Sequence, residues 1–276
     1  MDNDNLMEFA SSIARRAGEV TLQHFGSVAV ETKGDGSEVT AADRASEALL
    51  QQAIHERFPD DAILGEEGTS VEGRSGRRWI IDPIDATRSF AAGVPLYGVL
   101  IALEVQREIV LGCCHLPALG QTVVAAMGAG AWLNGQRARV SDVAEISQAR
   151  LVTSGLEYWR DWATDEARGG WDSLVRRTRF TRTWGDCYGY VLVATGRADL
   201  FADPACGAHW DYAPMVPILA EAGGKYTTLG GGPVHAWSSV LASNGLLHAE
   251  GLRAWDVAGR GDAAIQPPEV LARHPR

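Results

Sequence analysis

An α/β fold in two halves is what this sequence predicts, and three features carry the prediction. Apolar residues recur at helical spacing toward the N-terminus, and three consecutive apolar runs between Tyr97 and Ala126 read as neighbouring strands. After a polar connection around Val140 to Arg150, the alternation of strand and helix begins again. The halves are expected at 1–145 and 146–276, as one catalytic unit with its site at their junction.

Leu6, Phe9, Ala10, Ile13, Ala17 and Val20 describe an amphipathic helix that starts near Asp4 and stops at Gly26. Val28 to Glu31 alternates like a short strand, and Lys33 to Ser37 is a Gly-rich polar loop. Thr40 and Asp43 have capping-box spacing and open a second helix, through Arg57, with Ala42, Ala45, Leu49 and Ala53 on one face. Ala62 to Leu64 is a short strand that delivers Glu66; Trp79 to Ile81 is a buried strand that carries Asp82 at its end. Tyr97 to Val105, Ile109 to His115 and Thr122 to Ala126 read as largely antiparallel strands, and Gly128 to Arg137, with Asn134-Gly135, as a hairpin. His115, among apolar residues, reads as a buried, satisfied histidine.

Leu151 to Gly155 opens the second half. Tyr158, Trp159, Trp162 and Trp171 have little periodicity and suit core packing, a subunit contact or a cover over a site. Arg179 to Trp184 is strand-like, and a helix follows from Gly185-Asp186 to about Gly196. Leu200 to Ala202 is a strand ending at Asp203-Pro204, and Trp210-Asp211 opens a helix with Ala213, Val216 and Ala220 on one face, closed by Gly223-Gly224. Val240 to Ala242 is a strand, and a terminal helix follows Gly245.

Composition narrows the class. With 46% hydrophobic and 22% charged residues the chain is that of an ordinary globular protein, and a net charge of −10 argues against a surface for nucleic acid backbone. No apolar window is long enough for a membrane span, and Met1 to Asn5 lacks the pattern of a secretory signal. Cys113, Cys114, Cys187 and Cys206 form no CxxC pair, which fits reduced thiols in a cytoplasmic protein and not a zinc site.

The chemistry concentrates between Gly65 and Phe90. Glu66, Glu67, Asp82 and Asp85 lie in one short stretch, and carboxylates this close need protons or a cation among them. Pro83 turns the chain so that Asp82, the carbonyl of Ile84 and Asp85 can converge, an all-oxygen donor set suited to Mg²⁺.

Gly65-Glu66-Glu67, Asp82-Pro83-Ile84-Asp85-Ala86-Thr87 and Trp210-Asp211-Tyr212-Ala213, in this order, resemble the inositol monophosphatase superfamily over about the whole chain. The resemblance implies a layered α/β/α/β/α sandwich of the inositol monophosphatase / fructose-1,6-bisphosphatase type, small phosphate monoesters as substrates, two to three Mg²⁺ per site, and a homodimer. It implies Glu66, Asp82 and the Ile84 carbonyl around one ion and Asp82, Asp85 and Asp211 around another. Thr87, oriented by Asp43, would align the attacking water; the backbone donors of Ala86 and Thr87 would receive phosphate oxygens, and Lys33 would lie on a mobile loop near the metals. Asp43 and Asp211 also have ordinary readings as helix caps, and Lys33 as a solvated loop lysine. The family usually has Gly where this chain has Ala86, so either that backbone is right-handed or the phosphate cradle is altered.

Arg88-Ser89-Phe90, Trp184 to Tyr190 and Ala194 to Arg197 resemble the histidinol-phosphate phosphatase branch. That substrate carries an ammonium and an imidazole, which call for acceptors; Asp186 and Asp203 are candidates, with Tyr188 against the imidazole. A helix cap and a turn are the structural alternatives for the two aspartates. The competing functions are an inositol monophosphatase or broad-specificity phosphatase, and a metal-stabilised scaffold for protein or RNA machinery.

Overall fold

The computed structural model describes residues 2–26, 31–32 and 38–256. Lys33 and its loop lie outside the described residues. Asp2 caps α1 (Asn3–Leu22) by accepting from the Asn5 N–H. A two-stranded ribbon of β1 (Glu31–Thr32) and β2 (Glu38–Val39) precedes α2 (Ala41–Arg57). The capping box at the start of α2 is present as the spacing predicts: Asp43 Oδ2 accepts from the Thr40 N–H at 2.8 Å, and Thr40 Oγ1 accepts from Ala42 N–H at 3.1 Å.

There follow β3 (Ala62–Gly65), β4 (Ser70–Val71), β5 (Arg77–Asp85), the short α3 (Thr87–Ala91), β6 (Gly98–Val105), β7 (Glu108–Leu116), β8 (Gln121–Ala126), β9 (Gly130–Leu133) and β10 (Gln136–Arg137). They build an eight-stranded sheet in the order β10-β9-β8-β7-β6-β5-β3-β4, in which β3 and β5 are parallel and the other pairs antiparallel. Strand alternation sorts β5 cleanly. Trp79 and Ile81 join Ile101 and Leu103 under α1 and α2, while Ile80 packs with Ala102 on the opposite face. His115 is buried, with Nδ1 at 2.9 Å from Thr122 Oγ1, and burial lowers its pKa to about 4.

The second sheet starts with β11 (Arg150–Val152). After α4 (Leu156–Asp161) and α5 (Asp165–Arg177) come β12 (Phe180–Arg182), α6 (Asp186–Ala194) and β13 (Leu200–Asp203). The aromatic segment divides: Trp159 stacks on Trp171 with centroids 4.6 Å apart and both pack with Trp255, Leu174 and Leu200 in the core, while Tyr158 and Trp162, half-buried, stack on each other. The chain then forms α7 (His209–Tyr212) and α8 (Met215–Glu221), and ends its described part with β14 (Lys225–Thr227), β15 (Val240–Ser243) and α9 (His248–Asp256). The second sheet has the order β12-β11-β13-β15-β14. All four cysteines are buried free thiols.

Packing divides the chain into one unit of Met1–Arg137 with His209–Glu221, and another of Ala138–Ala208 with Ala222–Arg276. A single divide at 145/146 does not describe this, because the segment carrying Asp211 rejoins the first unit. Its one expected helix is two, interrupted at Pro214, while Pro217 sits in the first turn of α8, where its missing N–H costs little. Two contacts hold it there. Gly112 of β7 admits the Pro214 carbonyl so closely that a Cβ would stand 1.9 Å from its oxygen, and Glu221 accepts from the Gly128 and Gly130 N–H groups at 2.7 Å each.

Candidate metal centre

The strand that was expected to end at Asp82 runs on through Pro83 to Asp85, with a fault in its register. Asp82 pairs with Leu100 and Asp85 with Gly98, so three steps on β5 face two on β6. Residues three apart on a regular strand point to opposite sides; one extra residue cancels the inversion and turns both aspartates the same way. Pro83 fits this place because a bulge leaves a backbone group outside the ladder, and proline has no N–H to lose.

Asp211 reaches the pair because α7 lies on that face of the sheet, where Trp210, Tyr212 and Ala213 pack against Ile80 and Ala102. Asp82, Asp85 and Asp211 each offer an oxygen within 4.8 Å of the others. Asp82 is fully buried; Asp85 and Asp211 are half-buried. Asp82 Oδ1 accepts from the Ile84 N–H at 2.9 Å, while its buried Oδ2 meets no hydrogen-bond donor among the described residues. Burial, followed by the charges of Glu66, Asp85 and Asp211, pushes the Asp82 carboxyl well above the usual carboxylate range. An orphaned buried oxygen inside converging carboxylates fits a hard divalent cation.

Glu66 follows the end of β3, its N–H bonded to the Ile81 carbonyl at 3.2 Å, one residue before Asp82. The Ile84 carbonyl accepts from Thr87 Oγ1 at 3.2 Å. Asp43, fully buried, accepts from both the N–H and the hydroxyl of Thr40, so its capping role is present.

Ala86 is not right-handed, the first of the two alternatives drawn from the sequence. Its backbone is left-handed, at φ 66° and ψ 50°, immediately before α3. The turn keeps a conformation that glycine adopts freely, and alanine bears a strain of about 1–2 kcal/mol to hold it.

Among the substrate candidates, Asp186 also has a positive φ of 50°, and its N–H donates to Ser154 Oγ at 2.8 Å. Tyr188 is half-buried, with the Arg197 guanidinium 5.8 Å from its ring centre. Asp203 is buried and takes hydrogen bonds from Thr153 Oγ1 at 2.5 Å, from the Ser154 N–H at 3.0 Å and from the Ser154 hydroxyl. Burial pushes its carboxyl up to about 7. These interior partners, and no turn around Pro204, account for its carboxylate.

Two groups escaped the sequence reading. Glu47 is a buried carboxylate in α2 that accepts from two backbone N–H groups beside Glu66, and Ser154 links Asp203 to Asp186. For Glu47 a signal existed: it stands one turn after Asp43 and three residues before Leu50, a charge placed in an apolar stripe.

Comparison with known proteins gives the following. The family model described as "Inositol monophosphatase family" matches residues 2–258. A protein of Chlorobaculum parvum named histidinol-phosphatase is 46% identical over 79% of this chain and 83% of its own length. One of Mycobacterium tuberculosis with the same name is 39% identical over 91% of this chain and 97% of its own. Among solved structures, the IMPase of Thermotoga maritima superposes with a TM-score of 0.81 at 32% identity, covering 92% of this chain and 98% of that one.

Proposed function

We infer the reaction from this premise: the chain belongs to the inositol monophosphatase family. It is a phosphoric monoester hydrolase, and we propose that its substrate is L-histidinol phosphate, cleaved to L-histidinol and phosphate in histidine biosynthesis. The observation that carries the substrate is the 46% identity to a relative named histidinol-phosphatase.

Members of the family use divalent metal ions; for this chain we propose Mg²⁺, two to three per site. Asp82, Asp85 and Asp211 would hold one ion, and Glu66, Asp82 and the Ile84 carbonyl another. The convergence of Asp82, Asp85 and Asp211, with an Asp82 Oδ2 that is buried and meets no donor among the described residues, supports the reading. Bound there, the ions supply Lewis-acid polarisation of the phosphate and offset charge on the leaving oxygen. Thr87 aligns the attacking water, with Asp43 as its orienting partner. The N–H groups of Ala86 and Thr87, at the start of α3, receive phosphate oxygens. Selectivity is assigned to Asp186 as acceptor for the substrate ammonium, on the strength of the branch motif. Lys33, Tyr188 and Asp203 are secondary candidates. A homodimer and a cytoplasmic location complete the proposal; no described helix is long and apolar enough to cross a membrane.

A second reading, an inositol phosphatase, is favoured by the 32% identity to the Thermotoga maritima IMPase. Phosphate release from histidinol phosphate and inositol 1-phosphate, measured side by side with Mg²⁺ and with an EDTA control, separates the two. A preference of about a hundredfold for histidinol phosphate, ~3 kcal/mol in transition-state binding, is expected. Equal rates would overturn the substrate, and no release from either would overturn the phosphatase reading. Asp186→Asn should raise KM for histidinol phosphate far more than for a neutral phosphate ester, and equal effects would remove Asp186 from substrate recognition.

A further inference from the structure

The Gly65–Thr69 turn is folded around a carboxylate that belongs to another element. Glu47 of α2 is only 4% exposed. Its Oε2 accepts from the Glu67 N–H at 2.8 Å and its Oε1 from the Thr69 N–H at 3.0 Å. The turn closes on itself through the Gly65 N–H, which donates to the Thr69 carbonyl at 2.7 Å. Gly65 has no side chain for a reason: a Cβ there would stand 2.6 Å from both Cδ and Oε2 of Glu47. Gly68, at φ 105°, supplies the conformation that turns the N–H groups of its two neighbours, Glu67 and Thr69, toward one carboxylate.

Between the two gripped ends lies Glu66. Its own N–H donates to the carbonyl of Ile81, the residue before Asp82, at 3.2 Å, and Gly65 pairs with Ile81 in the parallel ladder of β3 and β5. A loop of this size, with small residues and an exposed Gly68, would sample many conformations if its N–H groups were left to water. Charge-assisted bonds from a rigid helix remove that freedom.

We propose that Glu47 is a positioning residue of the metal centre: its buried carboxylate is the anion around which the Gly65–Thr69 turn folds, and it fixes where Glu66 meets Asp82. The proposal rests on the assignment of Glu66 and Asp82 as metal ligands. Both oxygens of Glu47 are taken up by the turn, so it acts through Glu66. Glutamine in its place has one acceptor oxygen and one NH₂ group, so one of the two backbone N–H groups would face a donor. Aspartate keeps the charge on a shorter stem.

The test is Mn²⁺ binding to the full-length protein, followed by electron paramagnetic resonance, together with Mg²⁺ activation curves and the thermal midpoint of the metal-free protein. Glu47→Gln is expected to weaken Mn²⁺ binding at least tenfold and to raise the Mg²⁺ concentration for half-activation similarly. At saturating Mg²⁺, kcat should recover to within a few-fold, and KM for substrate should change less than metal affinity. Glu47→Asp should fall between the wild type and Glu47→Gln, and it serves as the test if Glu47→Gln does not fold. A folded Glu47 variant with wild-type Mn²⁺ affinity and a lowered melting temperature would overturn the proposal, since that is what a purely structural buried carboxylate produces. Glu66→Gln is the control. If it loses Mn²⁺ and the Glu47 variants do not, positioning by Glu47 is refuted; if Glu66→Gln binds Mn²⁺ normally, the ligand assignment itself has failed.

Discussion

Replacing Asp82 by asparagine should make the metal-free protein more stable and the enzyme inactive. The side chain keeps its shape, and its Oδ1 can still accept from the Ile84 N–H. What disappears is a charge that shares a 4.8 Å circle with Asp85 and Asp211. At that separation each like-charged pair costs about 3.5 kcal/mol at an effective dielectric of 20. Proton uptake relieves part of this in the wild type, so the realised gain should be about 2–4 kcal/mol at pH 7. For a chain of this size that corresponds to a rise in melting temperature of about 3–7 °C. The assay is calorimetry in EDTA and again in millimolar Mg²⁺, with phosphate release alongside. The wild type should gain stability from Mg²⁺ and the variant should not, while turnover falls at least about a thousandfold, ~4 kcal/mol. A variant that melts below the wild type in EDTA would refute the claim that repulsion dominates this cluster. Turnover within a few-fold of wild type would refute Asp82 as a ligand.

Gly112→Ala should push the Pro214 carbonyl away from β7, lowering stability by about 1–3 kcal/mol and weakening Mn²⁺ binding through Asp211. Gly169→Ala, in open space on α5, is the control, expected to be neutral or slightly stabilising; equal effects from the two would refute the steric account. Ala86→Gly should release the left-handed strain at the cost of a more flexible unfolded chain, for a net gain of up to about 1 kcal/mol in calorimetry. A clear loss of stability would mean that Ala86 is held by packing worth more than its strain. Asp203 gives a pH test. Its folded carboxyl sits at about 7 and an unfolded one at about 4, so its stabilising contribution is whole below pH 4 and is lost as the pH rises to 7. The melting temperature of Asp203→Asn relative to wild type should therefore rise over that range, by up to about 4 kcal/mol of stability, and a pH-independent difference would refute the assignment.

Elements governed by local chemistry were legible in the sequence. The capping residues of α2, the three antiparallel runs that became β6, β7 and β8, and the Asn134-Gly135 hairpin need only periodicity and turn propensity. The ligand candidates were legible too, because like charges crowded in one stretch are costly without a purpose. What could not be read is set by contacts between distant segments. The bulge that aligns Asp82 with Asp85 depends on register against Leu100 and Gly98, and the return of Asp211 to the first unit depends on the space left at Gly112. Ala86 was misjudged because local propensity opposes its backbone, and the surrounding turn overrides that propensity. The partners of Glu47 and of Asp203 stayed hidden because they lie 20 or more and 49 or more residues away, where local spacing carries no signal.

The way the first unit is threaded has a consequence for synthesis. Asp82 and Asp85 leave the ribosome early, together with every strand of the large sheet, but Asp211 follows only after the whole of β11 to β13 has been made. The face of β5 and β6 that α7 covers thus has no covering helix until late in translation, and the three-carboxylate cluster cannot form before then. A chain cut after Arg137 would carry the sheet without its third aspartate and with Ile80 and Ala102 bare. Assembly of the cluster is, in this architecture, a late event of biosynthesis: the nascent chain carries two of the charges for a long time and meets the third at residue 211 of 276.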